Sequence, residues 1–301
     1  MVVEDSESIP LVPPTTSRRD GRAVLRQVLP TGVIQVVRYL RAQRLAALAS
    51  ESWALSRVRR VEVQDVRARR DLDLAKALSP AHDVLWGRVS ARIEEAGLRH
   101  NSGGINPGDR RALSALAAHL QPETVLEIGT HVGSSTVTLA ATLDDIGSNI
   151  TTVDITDVND ISVEPWKRYG VPCSPAEAVR GLAPVQFVVN SSLSYLAATA
   201  ERYDLIFLDG DHSAATVYHE LPLALSRLKP EGVMLIHDYF PHARRLWDRG
   251  ELIVGPFLAV RRLAREGWPI DVVPLGELPW PTKLGRKVTS LAVVLGHSRG
   301  T

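Results

Sequence analysis

Two short segments concentrate side chains able to do ligand and proton chemistry. Leu208-Asp209-Gly210-Asp211-His212-Ser213 follows one apolar run, and Ile236-His237-Asp238-Tyr239 follows another. Asp209 and Asp238 supply hard oxygen ligands suited to Mg²⁺, and His237 would complete a set that Mn²⁺ or Fe²⁺ also accepts. His212, with an ordinary imidazole pKa of about 6.5, is in good part neutral at cellular pH and able to accept a proton. Asp211 is the competing base, or the group that orients His212. Strand-end Asp and His also cap helices and pin loops, so every one of these residues has a purely structural reading as well.

The elements that must position them are legible as an alternation. Apolar, β-branched runs at 124–128, 150–155, 185–189, 205–208 and 233–236 have the length of buried strands, and helical patterns at 134–143, 176–182, 193–200 and 214–228 separate them. Such alternation predicts a Rossmann-like, doubly wound α/β fold whose mostly parallel sheet is covered on both faces. Two late runs, 270–275 and 289–295, predict an antiparallel edge. Parallel strands present all their carboxyl ends together, so both acidic segments fall on one edge of the sheet.

A glycine loop shares that edge. Val125-Leu126-Glu127-Ile128-Gly129-Thr130-His131-Val132-Gly133-Ser134-Ser135 runs from strand to turn to helix start. Gly129 permits a sharp turn, Gly133 permits close approach to a ligand, and the free N–H groups at the helix start suit an anion such as a carboxylate. A dinucleotide site would need a second glycine at position 131 to admit a pyrophosphate, and that residue is His131. Glu127, in the strand end, suits an ammonium group or loop amides. Asp154 closes the next strand, where a carboxylate accepts ribose hydroxyls. Ser191 and Ser192 follow the third strand, where a base edge would be read; helix capping is the competing reading.

The pattern Glu127-x-Gly129-x-x-x-Gly133-x-Ser135, with Asp154 downstream, resembles the first motifs of the catechol O-methyltransferase-like group of class I methyltransferases. The two acidic segments are similar to those of its metal-dependent members, including the macrocin O-methyltransferase-like enzymes. The likeness covers roughly residues 101 to 240. It implies S-adenosylmethionine as cofactor, with Ser135 at the cofactor's carboxylate and His131 on its methionine side. It also implies Asp209 and Asp238 as metal ligands and His212 as the base, while His237 departs from the family's usual acidic residue. The expected activity is O-methyl transfer to a small hydroxylated molecule assisted by a divalent metal, Mg²⁺ ahead of Mn²⁺ or Fe²⁺. The alternatives are a cephalosporin hydroxylase-like protein, a non-catalytic cofactor-binding protein, and an RNA methyltransferase.

The rest of the chain sets bounds. Its 301 residues are 45% hydrophobic and 23% charged with a net charge of +1, the composition of a folded globular chain with no global field for nucleic acid. Cys173 is the one cysteine, which excludes an intrachain disulfide framework. The first thirty residues hold no apolar run of signal-peptide length and no later stretch could span a bilayer, so a cytoplasmic protein is expected. Residues 1–22 are expected to form a mobile tail, 23–100 a helical extension, and 101–301 the cofactor domain. Within the extension, Val33, Val36, Val37, Leu40, Leu45 and Leu48 recur at helical spacing. Arg57, Arg59, Arg60, Arg67, Arg69 and Arg70, mixed with acids, predict a solvated helix face or a subunit contact, hence a homo-oligomer through these helices. The segment 239–256 is expected to form a lid over the site, with Trp247 and Trp280 either stacking on the acceptor or packing inside.

Overall fold

The computed structural model of the chain describes residues 31–61, 68–98, 104–248 and 251–296. The tail expected over residues 1–22, together with Arg67, lies outside them.

Seven strands form one sheet: β1 (Thr124–Ile128), β2 (Asn149–Asp154), β3 (Val185–Val189), β4 (Tyr203–Leu208), β5 (Leu228–Ile236), β6 (Ile270–Pro274) and β7 (Ala292–Gly296). Their order is β3-β2-β1-β4-β5-β7-β6. The first five run parallel, β7 is antiparallel to β5, and β6 is antiparallel to β7. This is the expected Rossmann-like sheet with an antiparallel C-terminal edge.

Strand periodicity explains the layers. In β1, β4 and β5 successive residues alternate between two cores: Val125, Leu205, Phe207, Val233 and Leu235 face one, and Leu126, Ile206, Leu208, Met234 and Ile236 face the other. Because both faces are covered, these strands read as continuous apolar runs rather than as alternation with polar residues. The first core receives α3 (Asp83–Glu95), α4 (Pro107–Leu120) and α5 (Ser134–Leu143), through residues such as Val89, Leu113 and Leu139. The second receives α7 (Ser192–Ala198), α8 (Ala214–Leu225) and α9 (Gly255–Arg265), through Leu196, Tyr218 and Leu258. A short α6 (Pro175–Ala178) precedes β3; it stops well before the predicted end at 182, where Gly181 takes φ +77°.

The N-terminal region departs from a continuous helical run. Helix α1 (Thr31–Ser56) is followed by non-helical chain in the described residues 57–61 and 68–73, and then by the single turn of α2 (Leu74–Ala77). Two compact units divide the chain, 1–46 and 47–301. Val33, Val36, Val37 and Leu45 are exposed, Leu40 is half-buried, and Leu48 near the helix end packs against the second core. The second unit holds the sheet and the helices that cover it.

The described arginines of the second basic stretch lie beyond the helix rather than on it. Arg60 donates to the Glu266 carbonyl. The backbone of Arg69 bonds Gly232 and Gly296, which ties the segment to the sheet. Tertiary backbone hydrogen bonds here override the local helical pattern.

Candidate functional site

The backbone ladder continues past the strand ends and launches each loop in register. Gly129 N donates to Val153 O, Asp209 N to Ile128 O, His237 N to Leu208 O and Asn190 N to Asp154 O. All the site loops therefore leave one edge, where the sheet order reverses between β1 and β4 and a crevice must open. A cavity of about 660 Å³ fills that crevice.

Gly129 makes the first turn possible. Its φ is +99°, and a Cβ there would overlap the Asp209 carbonyl, because the ends of β1 and β4 press together at this point. Gly133, with φ +82°, faces Pro175 at the start of α6 and is not among the residues that line the cavity. The cavity wall is built instead by Ser134 and Ser135 at the start of α5. Their helix brings its unpaired N–H groups and its positive dipole end to the cavity, a fit for a carboxylate.

Glu127 also lies behind the wall. It is fully buried and accepts from Thr136 Oγ1 at 2.5 Å and Thr152 Oγ1 at 2.6 Å. Burial pushes its carboxyl up to about 7, against these hydroxyls and that of Ser135. Its contacts are those of a brace between β1, β2 and α5.

Asp154 stands at the end of β2 in the cavity wall, its Oδ2 accepting from His131 N at 2.9 Å and its Oδ1 from Thr156 N at 2.9 Å. Two backbone amides thus fix the carboxylate while leaving it lone pairs for a ligand. His131 itself takes a left-handed backbone, φ 49°, and packs edge-on against Tyr169 at 4.3 Å. Burial lowers its imidazole pKa, partly opposed by Asp154 and Asp209. Ser191 and Ser192 both line the cavity, and Ser191 also caps α7, accepting from Ser194 N at 3.1 Å. Capping and a place in the cavity wall are thus compatible for this serine.

At the other end of the cavity, Asp209, His212 and Asp238 converge. One ligand atom from each lies within 4.8 Å of the others. His212 Nε2 is 3.4 Å from Asp238 Oδ2 and 4.0 Å from Asp209 Oδ1. Asp238 holds a left-handed φ of 51°, a conformation non-glycine residues adopt at some cost and often at functional sites. Its Oδ1 accepts from Ser290 Oγ at 3.2 Å.

His237 is placed differently from the expected third ligand. Its Nδ1 meets Asp209 Oδ1 at 2.9 Å and its Nε2 meets Asp109 Oδ2 at 3.1 Å, so both ring nitrogens are occupied inside the protein. Burial alone would push this imidazole down, but Asp209, Asp238 and Asp109 outweigh it and hold it well above the ordinary histidine value. With Asp209 on one nitrogen and Asp109 on the other, the ring has no open nitrogen in this arrangement. The structure sets His212 beside the two carboxylates in its stead.

Asp211 is also committed elsewhere. It accepts from Ser213 N at 2.9 Å, Ser213 Oγ at 3.0 Å and Thr216 Oγ1 at 2.7 Å. Burial would raise its pKa, but these donors hold it below the usual carboxylate range. It shapes the loop that carries His212. That loop has two further supports: Glu51 Oε2 accepts from Ala214 N at 2.7 Å, and Gly255 packs so closely that a Cβ would overlap the His212 carbonyl.

Asp109, Glu51 and Glu220 were not singled out in the sequence. Asp109 follows Asn106-Pro107-Gly108 in a helix first turn, where an acid is ordinary, and only its complete burial sets it apart. Trp247 and Trp280 are buried and do not line the cavity. Trp280 Nε1 donates to Gly108 O at 2.9 Å, the packing role. Of the segment expected as a lid, residues 249–250 lie outside the described part.

Comparison with known proteins bears on the same region. Residues 126–239 match a family model described as a methyltransferase domain. Similar solved structures include cofactor-bound Rv0187 from MTB, at 20% identity over 72% of this chain and 91% of that one, with a TM-score of 0.47. Another is the O-methyltransferase TomG from Streptomyces achromogenes, involved in tomaymycin synthesis and in complex with SAM, at 19% identity, 71% and 90% coverage and a TM-score of 0.46. An O-methyltransferase from Bacillus cereus in complex with SAH aligns at 17% identity, 74% and 94% coverage and a TM-score of 0.44. No curated protein sequence matches the chain. The matched segment opens in β1 and closes just beyond Asp238, so it holds most of the residues around the cavity.

Proposed function

We propose that the protein methylates a hydroxyl oxygen of a small molecule, with a divalent ion held by Asp209 and Asp238 and with His212 receiving the hydroxyl proton. The observation that carries this reading is the convergence of Asp209, His212 and Asp238 at one end of a cavity whose other end holds Asp154 and Ser191. The donor set fits: two carboxylates and an imidazole in mutual reach suit Mg²⁺, Mn²⁺ or Fe²⁺. Such an ion would supply positive charge at the acceptor oxygen and lower its pKa. S-adenosylmethionine, when bound, supplies an electrophilic methyl group.

The chain's own residues do the rest. The α5 N-terminus would hold the cofactor's carboxylate and Asp154 its ribose hydroxyls. Asp211, Glu51 and Gly255 fix the loop that aims His212. His212 Nε2 then has the Asp238 carboxylate 3.4 Å away.

The same closeness favours a second reading, in which His212 is the third ligand and the proton leaves to solvent. Both readings are tested by titrating the protein with S-adenosylhomocysteine, with and without Mg²⁺ or Mn²⁺, and assaying methyl transfer to catechol and sugar acceptors. Transfer that requires the ion and stops in Asp238→Ala supports the proposal. Equal transfer in the presence of a chelator removes the ion from it.

A further inference from the structure

Helix α8 carries a residue that its core position does not explain. Its inward side is apolar, with Val217, Tyr218, Leu221 and Leu225 buried, yet Glu220 on the same helix is only 1% exposed. Its Oε1 is sealed from solvent with no hydrogen-bond partner. Leaving a buried carboxyl oxygen unpaired costs about 1–3 kcal/mol or more, so natural proteins do so rarely and usually with a reason. Glu220 is nevertheless one of the residues that line the cavity, with Ser192, Leu193 and Thr216. Burial pushes the carboxyl up to about 7, with the Ser192 hydroxyl partly offsetting the rise.

Position along the cavity identifies what would meet it. The methionine end belongs to the α5 N-terminus and the sugar to Asp154, so the purine extends past Asp154 toward the loop after β3. Asn190, Ser191 and Ser192, which follow β3, line the cavity, as does Glu220 on α8, whose carboxyl is within reach of the Ser192 hydroxyl. An adenine edge carries an exocyclic amine with two N–H donors next to ring-nitrogen acceptors. A carboxyl group complements it in either protonation state: ionised, it accepts from the amine; neutral, it also donates to a ring nitrogen.

We propose that Glu220 is an adenine-specificity residue, its carboxyl accepting a hydrogen bond from the six-amino group of the bound cofactor. The inference rests on the cavity's taking S-adenosylmethionine, and the two can fail separately. Calorimetric titration of the full chain compares S-adenosylhomocysteine with the analogue that carries hydrogen in place of the six-amino group. The intact protein should prefer the amine-bearing ligand by about tenfold to a hundredfold, the range for a hydrogen bond to a charged group. Glu220→Leu should bring that ratio close to one, and Glu220→Gln, which keeps an acceptor oxygen and the shape, should restore part of it. The Gln variant and the two-ligand comparison on the unaltered chain keep the test decisive should the Leu variant fold poorly. A ratio near one in the unaltered protein overturns the proposal. So does an unchanged ratio in both variants, or an equal loss for both ligands, which would mark Glu220 as structural. Failure of the unaltered protein to bind either ligand would overturn the cofactor assignment itself.

Discussion

His237 Nε2 lies 3.1 Å from Asp109 Oδ2, which joins the start of α4 to the acidic edge of β5 across a fully buried contact. Through its Nδ1 the same imidazole reaches Asp209, so Asp109, His237 and Asp209 form a line behind the convergent site. Asn106 Nδ2 secures the far end by donating to Asp109 Oδ2 at 2.6 Å.

Asp109→Ala should therefore destabilise the fold by about 3–5 kcal/mol, the cost of leaving one member of a buried ion pair alone. Urea unfolding measures it. In Asp109→Asn, which retains the contact in part, Mn²⁺ affinity should fall about 10–100-fold, as when the partner of a ligating group is changed. Unaltered Mn²⁺ affinity would mean that the line does not support the ligand.

His212→Asn separates the two roles open to this side chain. As the base, His212 accounts for about 10²–10⁴ in rate, so transfer collapses while Mn²⁺ and S-adenosylhomocysteine bind as before. As a ligand, its loss appears first in the Mn²⁺ titration. Full activity with full ion binding would leave it neither role.

Asp154→Ala should weaken S-adenosylhomocysteine by about tenfold to a hundredfold, from the loss of charge-assisted hydrogen bonds to the sugar. The variant also releases His131 N, now bonded to Asp154 Oδ2. Calorimetry gives the affinity, and circular dichroism shows whether the loop alone or the fold has changed. Undiminished affinity would place the sugar elsewhere.

The buried Glu127 carboxyl sits at about 7 in the fold, above its ordinary 4.5. The folded state therefore binds more protons than the unfolded chain between these values, and stability falls as pH rises through that window. The contribution is complete below about pH 4.5 and lost above about pH 7, a few kcal/mol in all by linkage. Melting temperatures of Glu127→Gln should decline less between pH 5 and pH 8 than those of the unaltered protein. Parallel curves for the two proteins would contradict this.

Gly129→Ala should destabilise by more than about 1 kcal/mol, because φ is positive there and the added methyl meets the Asp209 carbonyl. Thermal melts read the loss, and the ion titration should deteriorate with it, since Asp209 is what moves.

The sequence by itself determined the architecture around the cavity. Strand runs buried on both faces, a glycine turn at Gly129 and Asp154 at the next strand end are local signals, because each follows from what one short segment needs in order to fold. The start of β1 and both ends of β3 and α5 coincide with the runs read from composition alone. What the tertiary structure alone decided is which acids and imidazoles meet. His212 and His237 are each flanked by aspartate, and nothing in their neighbours in sequence says that one turns outward to Asp238 while the other turns inward to Asp109. That choice depends on a carboxylate 128 positions away and on burial that no single segment possesses. The same holds for Glu220, an ordinary helix residue by local pattern, which becomes a group with unspent hydrogen-bonding capacity only when α7 and α8 close on the cavity.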